Sequence, residues 1–237
     1  MSLTREERLR ELGLWPVWRH STKSGDAASS APAPSEITSP APSSPPGTPL
    51  LDWPQLTEAV LGCTRCELHK TRTRGVVGVG DRRAEWMLIG EAPGAEEDRQ
   101  GEPFVGQAGR LLDAMLAGIG LRRGENVYIA NVLKSRPPAN RDPRPEEVAA
   151  CLPYLERQID LIRPRLILAL GRFAAQSLLC TDTPIGKLRG RVHAYHGVQL
   201  VVTYHPAYLL RNAADKAKAW EDLVLARSTM AAGLLRS

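Results

Sequence analysis

The sequence predicts an α/β fold, a three-layer α/β/α sandwich around a central, mostly parallel four-stranded sheet. Three observations predict it. Four short apolar runs recur between residues 85 and 204, each bounded by turn residues, as strands buried on both faces require. Stretches with helical spacing separate them, which is the rhythm of parallel strands joined by crossover helices. Polar or rigid residues follow three of the four runs, at the carboxyl edge where open α/β sheets keep their working loops.

The elements follow in chain order. Residues 1–20 read as a short helix with a sticky end made by Leu9, Leu12, Leu14, Trp15 and Trp18. Residues 21–50 change abruptly to Ala, Pro and Ser ("APAPSEITSPAPSSPPGTP"). That composition cannot bury enough surface to offset ordering entropy, so a disordered linker is expected, with the folded domain at 51–237. The first strand is "EWMLIG" (85–90), followed by the loop "GEAPG" and a helix over 107–119. The second is "VYIANVL" (127–133), followed by "KSRPPANR" and a helix over 145–162 with Pro145 at its start. The third, "LILALG" (166–171), leads into a helix over 172–179. The fourth, "VQLVVTY" (198–204), leads into "HPAYLLR" and a last helix over 214–231. His193 and His196 fall in a turn before the last strand and receive no role.

Composition narrows the function. The 237 residues are 43% hydrophobic with a net charge of +5, ordinary for a globular chain and compatible with a polyanionic partner. No apolar run is long enough for a membrane span, and the charged stretch Met1–Arg10 lacks a signal-peptide core, so a cytoplasmic protein without membrane contact is expected. Four cysteines in such a chain suggest metal, or no role, before disulfides.

The loop after the first strand carries the chemistry. Pro93 fixes a turn between Gly90 and Gly94, and such a loop presents successive N–H groups to a ligand oxygen. Neither G-x-x-x-x-G-K-[ST] nor G-x-G-x-x-G occurs, so no nucleotide cofactor is expected. Glu91 and Glu97 instead suit a developing positive charge or a positioned water. Glu96 and Asp98 read as solvated.

"GEAPGAEEDRQGEPFVGQAGRLLDAML" (90–116) together with "HPAYLLR" (205–211) closely resembles the family 4, iron–sulfur type of the uracil-DNA glycosylase superfamily. The similarity runs from about Cys63 into the last helix and does not cover residues 1–50. It implies an α/β/α enzyme that flips deoxyuridine out of DNA and hydrolyses the N-glycosidic bond, releasing uracil and leaving an abasic site in base excision repair.

The resemblance also implies roles. Glu91 and Glu97 are the catalytic carboxylate candidates. His205 donates to the uracil oxygen where negative charge gathers. Gly90, Ala92, Pro93 and Gly94 form the base-binding loop; relatives carry Asp or Asn where this chain has Ala92. Phe104 stacks on uracil and Asn131 reads its edge, an amide being both donor and acceptor. Pro206, Tyr208, Leu209, Leu210 and Arg211 contact DNA, with Leu209 the candidate wedge and Arg211 near phosphate. Taken alone, Asn131 could cap a turn and His205 could be a structural histidine. Two alternatives stay open: a non-catalytic DNA- or polymerase-associated module of the same fold, and a glycosylase with shifted preference for other deaminated bases. The expected partner is uracil-containing DNA, bound by a monomer. Helix 1–20 and its linker are a candidate surface for a protein partner.

"CTRC" places Cys63 and Cys66 two residues apart, a moderate metal signal on its own. The resembled family holds a [4Fe–4S] cluster with such a pair and two later cysteines. Cys151 matches one; at the other, "KSRPP" puts Ser135 where the family has cysteine. The candidate cofactor is therefore a [4Fe–4S] cluster with an incomplete thiolate set, and three cysteines without metal is the equally open alternative. Cys180 has no sequence reason to join them.

Overall fold

The computed structural model describes residues 51–234, so the expected N-terminal helix and linker lie outside the described residues. Among the described residues, eight α-helices accompany one six-stranded sheet: α1 (Trp53–Leu61), α2 (Ala95–Gln100), α3 (Gln107–Gly118), α4 (Pro145–Ile162), α5 (Arg172–Leu179), α6 (Ile185–Leu188), α7 (Pro206–Arg211) and α8 (Lys216–Leu234). The strands are β1 (Val79–Gly80), β2 (Trp86–Gly90), β3 (Val127–Asn131), β4 (Leu166–Leu170), β5 (Val192–Tyr195) and β6 (Val198–Thr203), in the spatial order β1-β3-β2-β4-β6-β5.

The four expected strands form the parallel centre, β3-β2-β4-β6. The expected count of four is short by two, because a short antiparallel strand lies at each edge. β5 pairs with β6 through a two-residue turn at His196 and Gly197, both at positive φ (48° and 79°), the conformation that matches the twist of a hairpin. His193 therefore lies in a strand, and only His196 is in the turn. β1 escapes periodicity because it has just two residues.

All residues of β2, β3 and β4 are buried, and their alternation divides the core. Met87, Ile89, Ile167 and Val202 face Leu155 and Ile159 of α4 and Ala174 and Leu178 of α5. Leu88, Ile129, Leu168 and Val201 face Leu112 and Leu116 of α3 and Leu223 and Met230 of α8. Two helical layers thus cover the sheet, as the uninterrupted apolar strands demanded. Chain order places β3 on one side of β2 and β4 on the other, so the topology switches direction at β2. The crevice beyond the carboxyl end of β2 is where such sheets bind ligands, and Gly90–Gly94 emerges there.

Two polar anchors hold the loops near that edge. Asp98 is buried, not solvated as expected. Its carboxylate accepts the N–H groups of Thr73 (2.9 Å) and Arg74 (3.3 Å), tying α2 to the chain before β1. Lys134, just after β3, is also fully buried; its Nζ donates to the Asn131 carbonyl (2.8 Å) and to Gln158 Oε1 on α4 (2.7 Å).

Candidate active site

At the carboxyl edge of the sheet lies a cavity of about 740 Å³. Glu91, Phe104, Asn131 and His205 line it, so the structure brings together residues from three strand ends and the loop before α3.

Asn131 ends β3 directly beside Gly90 of β2. Its side chain is buried, and Oδ1 has no hydrogen-bond partner among the described residues. An orphaned buried acceptor typically costs about 1–3 kcal/mol, so the fold keeps this oxygen available at some expense. Gly90 makes room for it: a Cβ there would lie 2.4 Å from Asn131 Oδ1 and 2.6 Å from the Phe104 ring.

Phe104 has a φ of 56°, a left-handed conformation that a bulky side chain adopts only when its surroundings force it. The forcing groups are identifiable. Glu97 Oε1 accepts the N–H groups of Val105 (3.0 Å) and Gly106 (3.3 Å), and its Oε2 accepts that of Gly94 (3.1 Å). Arg123 donates to the carbonyls of Pro103 (3.0 Å) and Phe104 (2.9 Å) and is itself held by Asp113. Gly109 of α3 packs so closely under Phe104 that any side chain would strike the Phe104 carbonyl. Glu97 thus joins the base loop to the Phe104 loop, and both its oxygens are occupied by backbone. Glu97 and Glu91 both line the cavity, but only Glu97 has both oxygens taken up by backbone N–H groups.

Burial first, then the nearby Asp142 charge, raise the Glu91 carboxyl to about 7 against the opposing charge of Arg172. His205 moves the other way. Burial, then the Arg211 charge, lower it to about 4 against the opposing pull of Glu97, so the imidazole is neutral at physiological pH. Its Nδ1 accepts the Ala207 N–H (3.1 Å) at the start of α7. The ring proton of the neutral form therefore resides on Nε2, which is free to donate. The Phe104 and His205 rings lie 5.4 Å apart, tilted by 30°.

The α7 motif divides differently from expectation. Leu209, the expected wedge, is 1% exposed and belongs to the interior, whereas Leu210 is 45% exposed. One residue along a helix turns a side chain by about 100°, which periodicity alone does not resolve without knowing the buried face. Pro206 is buried at the first helical position, and Arg211 is exposed. Tyr208 stacks on Tyr204 (5.1 Å between centroids) and donates to Asp215 (2.6 Å). Tyr204, Arg123, Arg172 and Phe173 carried no motif signal, because their relation to the cavity arises only from the folding of distant segments.

The cysteines also converge. Cys151 on α4 is buried, Cys66 packs against it with Leu68 and Leu133, and burial, with smaller contributions from nearby Cys66 and Cys63, raises the Cys151 thiol. Ala92 of the base loop packs on the same group. Ser135 is buried and its Oγ accepts a hydrogen bond from Arg72 (2.8 Å), which also donates to the Cys63 carbonyl (3.0 Å). Among the described residues no three Cys, His, Asp or Glu side chains come close enough to hold a single metal ion. Cys180 is exposed and apart.

A uracil DNA glycosylase superfamily model matches residues 77–224. The chain is 51% identical over 163 residues to a type-4 uracil-DNA glycosylase of Archaeoglobus fulgidus, covering 65% of this chain and 81% of that one. It is 45% identical over 177 residues to a type-4 uracil-DNA glycosylase of Thermotoga maritima (73% and 92%) and 44% identical over 185 residues to one of Pyrobaculum aerophilum (74% and 93%).

Proposed function

The chain belongs to the uracil-DNA glycosylase superfamily, and from that membership we propose that it flips deoxyuridine out of DNA and hydrolyses its glycosidic bond. The observation that carries the reading is the pairing of an unpartnered Asn131 Oδ1 with a neutral, Nε2-protonated His205 in one cavity. Uracil enters against Phe104. Asn131 Oδ1 accepts the N3–H and its amide donates to O4. A base buried in duplex DNA cannot reach these groups, so extrusion precedes chemistry.

As the N1–C1′ bond breaks, its electron pair moves onto uracil and the sugar becomes cation-like. His205 Nε2–H donates to the uracil O2 as negative charge develops there, and being neutral it stabilises without transferring its proton. Glu91, ionised, faces the cationic sugar and orients the water that attacks C1′. The water's proton passes to the carboxylate, while uracil leaves as its N1 anion and takes a proton from solvent, so that an abasic site and free uracil result. Leu210 enters the duplex and Arg211 lies near phosphate. The enzyme acts as a monomer on DNA, and no helix among the described residues is long and apolar enough to cross a membrane.

Cys63, Cys66 and Cys151 would supply three thiolates to a [4Fe–4S] cluster, a reading supported by the packing of Cys66 against Cys151 and by the nearness of Cys63 to both. Ser135, which accepts from Arg72, would take the fourth position. When bound, such a cluster would cross-link the turn after α1 to α4 and so brace Ala92 in the base loop. Residues 1–50 would not be needed for excision.

Incubating the full chain with an oligonucleotide carrying one uracil, then treating with alkali, tests the reading. Strand breaks at uracil without added metal or nucleotide are expected. Their absence, beside a working control enzyme, would favour the non-catalytic DNA-binding module. Breaks at hypoxanthine or xanthine but not uracil would establish a shifted base preference.

A further inference from the structure

Phe104, Asn131, Glu91 and His205 account for only part of the cavity. Arg172, Phe173, Asn140 and Asp142 line the same space, and the contacts to uracil described above use neither Phe173 nor Asn140. A single pyrimidine ring does not fill a cavity of about 740 Å³.

Phe173 is placed oddly for a structural aromatic. α5 turns Ala174, Ala175 and Leu178 into the core. Burial rewards a large ring on that face, yet the chain puts alanines there and sets its phenylalanine on the cavity side, half-buried. The Arg172 guanidinium lies 4.1 Å above the ring centroid. Guanidinium and aromatic planes are the two protein surfaces on which nucleobases stack, and the guanidinium also reaches phosphate. Arg172 is loosely held: its partner Asp142 is 3.5 Å away, with the two side chains 52% and 72% exposed. Exposed pairs of this kind are weak, so a phosphate displaces the carboxylate at little cost.

The loop after β3, which brings Asn140 to the same cavity, is fixed in a strained shape. Ala139 and Asn140 are both left-handed, with φ of 52° and 54°. Arg136 Nε donates to Asn140 Oδ1 (2.8 Å), and the neighbouring Arg141 is anchored by buried Glu147 (2.9 Å). Asn140 is thereby held at the edge of the cavity, exposed and with its Oδ1 occupied by Arg136, so that a ligand meets its amide as a donor.

We propose that Arg172, Phe173 and Asn140 form a second nucleotide subsite, which holds a nucleotide adjacent to the flipped deoxyuridine on the same strand: its base on the Arg172–Phe173 stack, its phosphate at the guanidinium. The subsite rests on the excision reading above. It makes sequence context next to the lesion a determinant of affinity.

Single-stranded oligonucleotides with one uracil test it, with natural neighbours or with a base-less tetrahydrofuran residue at the 5′ or the 3′ neighbour. For the wild type, removing one of the two neighbouring bases should raise KM roughly tenfold. Phe173→Ala should abolish that dependence, with natural and base-less substrates alike; Phe173→Trp should retain it. Arg172→Gln, at an exposed position, should raise KM throughout the series and reduce the salt slope of binding by roughly one. Indifference of the wild type to both neighbours overturns the subsite. So does a Phe173→Ala enzyme impaired equally but still sensitive to the missing base. If that variant does not fold, an unchanged salt slope in Arg172→Gln overturns it instead. No excision from any member defeats the parent reading, whereas excision without dependence on neighbours defeats the subsite alone.

Discussion

Gly171 touches His205: a Cβ on the glycine would lie 2.8 Å from the histidine Cβ, and Gly171 has a φ of 94°. The last residue before α5 therefore sets the depth at which the α7 histidine sits. Gly171→Ala should push the imidazole away from the base and lower the single-turnover rate by about 10²-fold, near the effect of losing one charge-stabilising donor. A melting experiment should show a further loss of about 1–3 kcal/mol from backbone strain. His205→Ala should lower turnover similarly while leaving affinity for uracil-free DNA unchanged.

The pH profile should report Glu91. Its carboxyl is raised to about 7, and the mechanism uses the ionised form, so single-turnover rates should climb as pH rises through about 7 and then level off. His205, lowered to about 4, stays neutral across this window and adds no second limb. Glu91→Gln should be slow and lack the climb. Stability should move oppositely. A carboxyl whose folded value lies above its unfolded one destabilises the fold once ionised. The wild type should therefore lose roughly 1–3 kcal/mol relative to Glu91→Gln between pH 4.5 and 7, with no further change above.

Glu97 offers a clean separation of positioning from chemistry. Glu97→Gln keeps an oxygen that accepts from Val105 and Gly106, and should retain within about tenfold of wild-type activity. Glu97→Ala leaves three backbone N–H groups without their acceptor and frees Phe104 to relax. It should raise KM and lower the melting temperature together. A Glu97→Gln enzyme as inactive as Glu97→Ala would return Glu97 to direct catalysis.

The two α7 leucines should part company. Leu209→Ala should cost about 2–5 kcal/mol of stability, as buried leucine truncations do. Leu210→Ala should leave stability unchanged but lower kcat/KM on duplex more than on single-stranded uracil DNA, because only the duplex needs a wedge.

Iron content tests the fourth corner of the cysteine site. Anaerobically purified wild type should be brown and should lose iron in air, and Ser135→Cys should retain more iron by direct analysis. A colourless protein under both conditions would make Cys63, Cys66 and Cys151 ordinary thiols.

The parallel centre of the sheet was legible because strands buried on both faces leave continuous apolar runs, and the meeting of Glu91, Asn131 and His205 at one cavity was legible because they lie at the ends of those runs. The edges were not. Val79–Gly80 is too short to show a period, and His196-Gly197 showed its turn chemistry only once its backbone angles were known. Within the site, sequence carried the presence of two carboxylates but not their division of labour. Both line the cavity, and which of them is tied up by backbone depends on where the N–H groups of residues 94, 105 and 106 point. Leu209 and Leu210 were exchanged for the same reason, since which side of a six-residue helix is buried is decided by what packs on it.

The two edge strands have a consequence for how the protein behaves in a crowded solution. A parallel sheet that ended at β3 and β6 would present long, flat rows of unpaired amides to other molecules. Here one border is closed by a strand of two residues containing Gly80, and the other by a four-residue hairpin arm with arginine at position 191 just before it. Neither gives a second chain enough length to extend the sheet. Strand addition to this sheet is disfavoured at both borders, and the folded domain should resist aggregation of the β type for as long as β1 and β5 stay paired.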